Sequence, residues 1–121
     1  MELTNYFRQR LAQAAAGEAA LPAAFEIAIG NGGHDPDFKP LPVDPDQAAL
    51  TSEIDRRAAE IVRDGTEVYA RVTYDRGELD GEVVSEAGLF DEAGGMMALE
   101  NSAYKLMDAT SEYSVEFVLS F

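Results

Sequence analysis

Apolar residues at Leu3, Phe7 and Leu11, followed by Ala14 and Ala15, recur at helical spacing and predict a helix over residues 3–16. Thr4 or Asn5 can cap its start and Gly17 can stop it. After Pro22 the period changes. Phe25, Ile27 and Ile29 fall on one face of an expected strand over 23–30, closed by Gly30-Asn31-Gly32-Gly33. Residues 31–46 hold four of the five prolines and four aspartates, a composition that suits an irregular, partly extended loop. A loop of that length is uncommon in a small domain unless it binds something or wraps a neighbour.

Leu50 and Ile54 stand one helical turn apart, so a short helix is expected over 47–55. Arg57–Arg63 fits either a strand, which we favour, or a helix continuing to Val62. Asp64-Gly65 lies between Ile61-Val62 and Val68–Tyr74 and favours a type I′ hairpin. Val68, Ala70, Val72 and Tyr74 alternate with polar positions, and Tyr113, Val115, Phe117, Leu119 and Phe121 repeat the pattern. With strands expected at Glu82–Phe90 and Met96–Leu99, residues 57–121 read as a β-meander. The expected fold is α+β: one domain over 1–121, with an N-terminal helix and a mainly antiparallel sheet. The last alternating strand is either central in its sheet or meets another subunit.

The formal net charge of −14, from 23 acidic and 9 basic residues, repels phosphate backbones and anionic headgroups. Nucleic acid and membrane are therefore not expected partners, whereas a cationic protein surface is allowed. Cysteine is absent, which removes thiolate chemistry and Cys-based zinc sites. No segment approaches the roughly 18 apolar residues of a membrane span, and Met1–Arg10 lacks a signal-peptide core.

Candidate chemistry is sparse. His34, the single histidine, lies beside Asp35 and near Asp37, and Asp35, Asp37, Asp44 and Asp46 could attract a hard cation. The segment lacks the glycine and terminal glutamate of an EF-hand loop, and a solvated acidic loop is the simpler reading. Gly30–Gly33 lacks the spacing and lysine of a phosphate loop. Carboxylate pairs such as Glu78 with Asp80 and Asp91 with Glu92 read as turn charges, and no serine sits in a nucleophile-elbow setting. No catalytic residue, metal or cofactor is expected. The candidate interface residues are His34, Asp35, Phe38, Pro40, Tyr104 and Phe121.

The block Glu86–Asn101, with Glu86-Ala-Gly-Leu-Phe-Asp91 at its head and Tyr104-Lys105 behind it, resembles the amino-terminal domain of phage tail-collar fibre proteins. The resemblance extends to Leu3-Thr4-Asn5, the strand into Ala28–Gly33, and Leu50–Arg56 with Glu53 and Arg56. It departs from the family at Asn31, where members tend to carry Asp, and near Ala87, where they tend to carry Ile or another β-branched residue. Family members also often continue into a fibre shaft, whereas this chain stops at Phe121. The resemblance implies a non-enzymatic structural protein of a phage or prophage tail that joins a fibre to the baseplate. It also implies a homo-oligomer, with a trimer favoured, located in the virion tail and in the host cytoplasm during assembly. A second expectation is an acidic phage-encoded inhibitor that imitates nucleic acid in a basic cleft.

Overall fold

A computed structural model describes residues 1–121. Its strands are β1 (Glu2–Leu3), β2 (Ala24–Gly30), β3 (Glu53–Ala58), β4 (Glu60–Asp64), β5 (Glu67–Tyr74), β6 (Val83–Asp91), β7 (Met96–Leu106) and β8 (Tyr113–Ser120). The only helix is α1 (Asn5–Ala15). Strands take up 48% of the chain and the helix 9%, so the α+β expectation is corrected: the fold is mainly β, built of two antiparallel sheets. No helix is long and apolar enough to cross a membrane.

The larger sheet has the order β1-β7-β6-β2-β3 and the smaller β4-β5-β8. The expected continuous meander is therefore broken, because β5 pairs with β8 and not with β6, which follows it in the chain. Ile27, Ile29, Ala87 and Leu89 of the larger sheet meet Ala70, Val72, Val115, Phe117 and Leu119 of the smaller, with Phe7 of α1 at the same core. Alternation puts their neighbours on the opposite face, where Ala28, Phe90, Met96 and Leu99 form a second cluster.

Leu50 closes that second cluster and Val43 packs beside it, so residues 31–52 lie as a cover over the outer face of the larger sheet. Burying Leu50 contributes about 2 kcal/mol. The short helix expected over 47–55 is absent. Leu50 and Ile54 are one turn apart in sequence, but they serve different clusters: Leu50 plugs the outer face, and Ile54, already in β3, packs on the inner core. Glu53–Ala58 instead pairs with β2, Ile27 facing Arg57 and Ile29 facing Asp55.

The β4–β5 hairpin closes with Asp64 facing Glu67, leaving Gly65-Thr66 as the two turn residues. Only Gly65 has positive φ, at 60°, which is the demand of a type II′ turn and not of the type I′ turn expected at Asp64-Gly65. The chain start is tied in as well. Thr4 caps α1 by accepting from the Phe7 N–H, and its hydroxyl donates to the Met96 carbonyl.

Candidate interaction surface

β6 is the most buried strand, yet it carries Ser85, Glu86 and Asp91 among its apolar residues. Ser85 and Glu86 are satisfied by backbone brought in from far along the chain, and Asp91 by its own turn and by Tyr6. Glu86 Oε2 accepts from the N–H of Gly32 at 2.6 Å and of Ser52 at 3.0 Å, while Oε1 accepts from Thr51 at 2.7 Å. Ser85 Oγ accepts from the Gly33 N–H at 2.9 Å. Asp91 accepts from the Tyr6 hydroxyl and from the N–H groups of Ala93 and Gly95. Glycine is required at position 33, because a Cβ there would strike the Ser85 carbonyl. Gly32 and Gly33 thus turn their N–H groups inward to side chains of β6 and Asn31 donates to the Ser52 carbonyl, which leaves these groups unable to cradle a phosphate.

From this anchor a short hairpin rises. Leu41 N–H donates to the Gly33 carbonyl and Asp35 N–H to the Lys39 carbonyl, with His34 bridged to Pro40. Asp35 Oδ1 accepts from the N–H groups of Asp37 and Lys39, and its carbonyl accepts from Phe38. This is the side chain's usual use in a turn, and it fixes the tip. Phe38 stands at the tip with φ of 64° and is 57% exposed.

The tip leans on β7. Tyr104 N–H donates to the Phe38 carbonyl, and the two rings lie 4.5 Å apart at the centroids. His34 meets the Tyr104 ring edge-on at 5.1 Å, and its Nδ1 shares a 2.8 Å hydrogen bond with Ser85 Oγ. The fold therefore brings together His34, Asp35, Phe38, Pro40 and Tyr104, the last from 64 or more positions further along the chain. Phe121 stands elsewhere. It packs against Phe7 at 6.3 Å and, 60% exposed, lines an apolar groove of about 250 Å³ with Leu21, Pro22, Ile61 and Leu119.

Of the carboxylate pairs considered for chemistry, Glu78 and Asp91 are engaged in holding the fold. Arg57 lies over the Tyr74 ring at 3.9 Å, donates to Glu78 at 2.6 Å and to Asp55 at 3.1 Å, while the Tyr74 hydroxyl donates to Asp55 at 2.7 Å. This network joins β3 of one sheet to β5 of the other around a polar cavity of about 210 Å³. Burial opposes ionisation of Asp55, but the Tyr74 hydroxyl and Arg57 outweigh it and hold the carboxyl below its ordinary value. Burial and the bond to Asp55 push Tyr74 upward, so it stays protonated and donating. No three acidic or imidazole side chains converge, and the Asp35 carboxylate faces its own turn.

Ser85, Asp55 and Arg57 were not singled out as site residues in the sequence, while Glu86 entered as the head of the tail-collar block and Tyr74 as a strand position. The one available signal was the polar Ser85-Glu86 pair inside an apolar strand. Comparison with known proteins gave no matching family model and no similar curated protein.

Proposed function

We propose that this chain is a non-enzymatic structural component of a phage or prophage tail, placed at the base of a fibre, that docks through the Phe38 loop. The observation that carries the reading is the loop itself. A large aromatic side chain is held largely in solvent, in a left-handed backbone conformation, by hydrogen bonds that leave the tip little freedom. Such an arrangement costs about 1–2 kcal/mol and contributes nothing to the core, which suits a preorganised contact residue. The partners in this reading are further copies of the chain and a baseplate or other tail protein, first met in the host cytoplasm during assembly.

The residues behind the tail-collar resemblance support the same reading. Gly30–Gly33, Leu50–Ser52 and Glu86–Asp91 are distant in the sequence, yet all meet around Glu86, and Arg56 lies over the Phe90 ring at 3.8 Å. They maintain one scaffold. The acidic-inhibitor reading gains less: Glu86 and Asp91 are buried, and Glu53, Asp55 and Glu78 are held by arginines, which removes them from any phosphate-like stripe.

Mass spectrometry of tails purified from the induced source strain tests the proposal. The chain is expected in stoichiometric amount, and replacing it with the Phe38→Ala variant should reduce its incorporation. Intact tails without the chain would overturn the reading and favour the inhibitor.

A further inference from the structure

The geometry points to the free edge of β8 as the surface on which two copies of this chain join, antiparallel and related by a two-fold axis. The inference rests on the strand itself and holds whether or not the chain sits in a tail. β8 runs for eight residues and pairs on one side only, with β5, in a register without a bulge. Phe121, next in that register, donates its N–H to the Thr66 carbonyl. Antiparallel alternation therefore turns the backbone groups of Tyr113, Val115, Phe117 and Leu119 toward β5, and those of Ser114, Glu116, Val118 and Ser120 outward. No loop or cap N–H or carbonyl engages those outward groups.

Exposed edges of sheets invite pairing and are ordinarily blunted by shortness, charge, proline or a bulge. The other three edges of this fold are blunted. β1 has two residues, β3 carries Glu53, Asp55, Arg56 and Arg57, and the five residues of β4 include Glu60, Arg63 and Asp64. β8 has no proline, no bulge and a single charge, Glu116.

A second copy fits this edge in the register that pairs all of Tyr113–Phe121. Centred on Phe117, antiparallel pairing sets Ser114 opposite Ser120 and Glu116 opposite Val118 of the second copy, matching the outward backbone groups of both strands. On the core-facing side it sets Val115 opposite Leu119 and Tyr113 opposite the exposed Phe121. No like charges face each other. A shift that centres the pair on Glu116 would oppose two carboxylates and is disfavoured. The trimer implied by the family resemblance would need β8 to join a different edge of its neighbour, and those edges are short or charged.

Sedimentation equilibrium of the full chain at neutral pH tests this, with circular dichroism to verify folding. The wild type is expected at twice the 13.1 kDa chain mass. Val118, half-buried, sits opposite Tyr69 on the outer face of its sheet, away from the core, and circular dichroism verifies that each variant at this position folds. Val118→Glu places a carboxylate against Glu116 on both sides of the axis and should weaken association about ten-fold or more. Val118→Lys places an ammonium there instead and should retain the dimer. A monomer at every concentration, a mass of three chains, or equal behaviour of the two variants would overturn the inference.

Discussion

A carboxylate inside a sheet is costly to desolvate unless its oxygens are filled, and Glu86 fills them with three N–H groups from residues 32, 51 and 52. Glu86→Gln keeps the shape but turns an amide NH₂ toward N–H donors, leaving at least one bond replaced by two opposed donors. Urea unfolding should show a loss of about 3 kcal/mol; an unchanged midpoint would mean that water satisfies the site instead. The carboxylates around Arg57 answer to pH. Asp55 and Glu78 are both held below their ordinary values, Glu78 chiefly by its bond to Arg57. A depressed folded value adds stability above the ordinary carboxylate range and loses it as the pH falls through the folded value. The contribution of these two carboxylates to stability should therefore hold from neutral pH to about 5 and decline below about 4. Asp55→Asn should flatten that decline, measured as the difference in unfolding midpoint between pH 7 and pH 3. Sequence pattern shows the type of residue but not its partner: Glu86 reads as a charge in a strand, and its donors lie 34–54 positions away.

The loop at 33–41 illustrates what an element adds to its residues. Phe38 carries the cost of a left-handed backbone but gains contact with Tyr104 and His34. Phe38→Gly removes both, so the two effects offset and stability should change by less than about 1 kcal/mol. Thermal unfolding checks this, and a large loss would show that the aromatic cluster serves the fold and not a partner. The loop's irregularity was legible from its prolines and aspartates, and its role as a candidate contact segment followed from length. Its role as the cover of the larger sheet was not legible, because Val43 and Leu50 are isolated apolar residues with no period. The same limit explains the missing helix over 47–55. A spacing of four between Leu50 and Ile54 fits a helix, but it equally fits two residues sent to opposite sides of a sheet by a chain turning into β3. Alternation in β5 and β8 announced strands without saying that the two would be neighbours, and that omission is what turned two sheets into one expected meander.

At the scale of the whole molecule, charge is the property most exposed to experiment. The chain carries 23 acidic residues against 9 basic ones, and its basic residues form few ion pairs, chiefly those of Arg56 and Arg57 with Glu53, Glu26, Asp55 and Glu78. Most carboxylates are consequently unpaired on the surface of a small body, where their mutual repulsion favours the expanded chain. Raising NaCl from about 10 mM to about 150 mM shortens the screening length from about 30 Å to about 8 Å, which quiets repulsion across the molecule. The few ion pairs are weakened too, but exposed pairs contribute about 0–1 kcal/mol each, while repulsion among the unpaired carboxylates is summed over the whole surface. The thermal midpoint at pH 7 should therefore rise with salt, by roughly 4 °C for each 1 kcal/mol relieved. Near the isoelectric point of about 4.2 the net charge vanishes, repulsion and attraction balance, and the same addition should leave the midpoint unchanged or lower it. Calorimetry over both salt series separates the accounts: an equal rise at both pH values would assign the effect to salt acting on apolar burial and not to the molecule's charge.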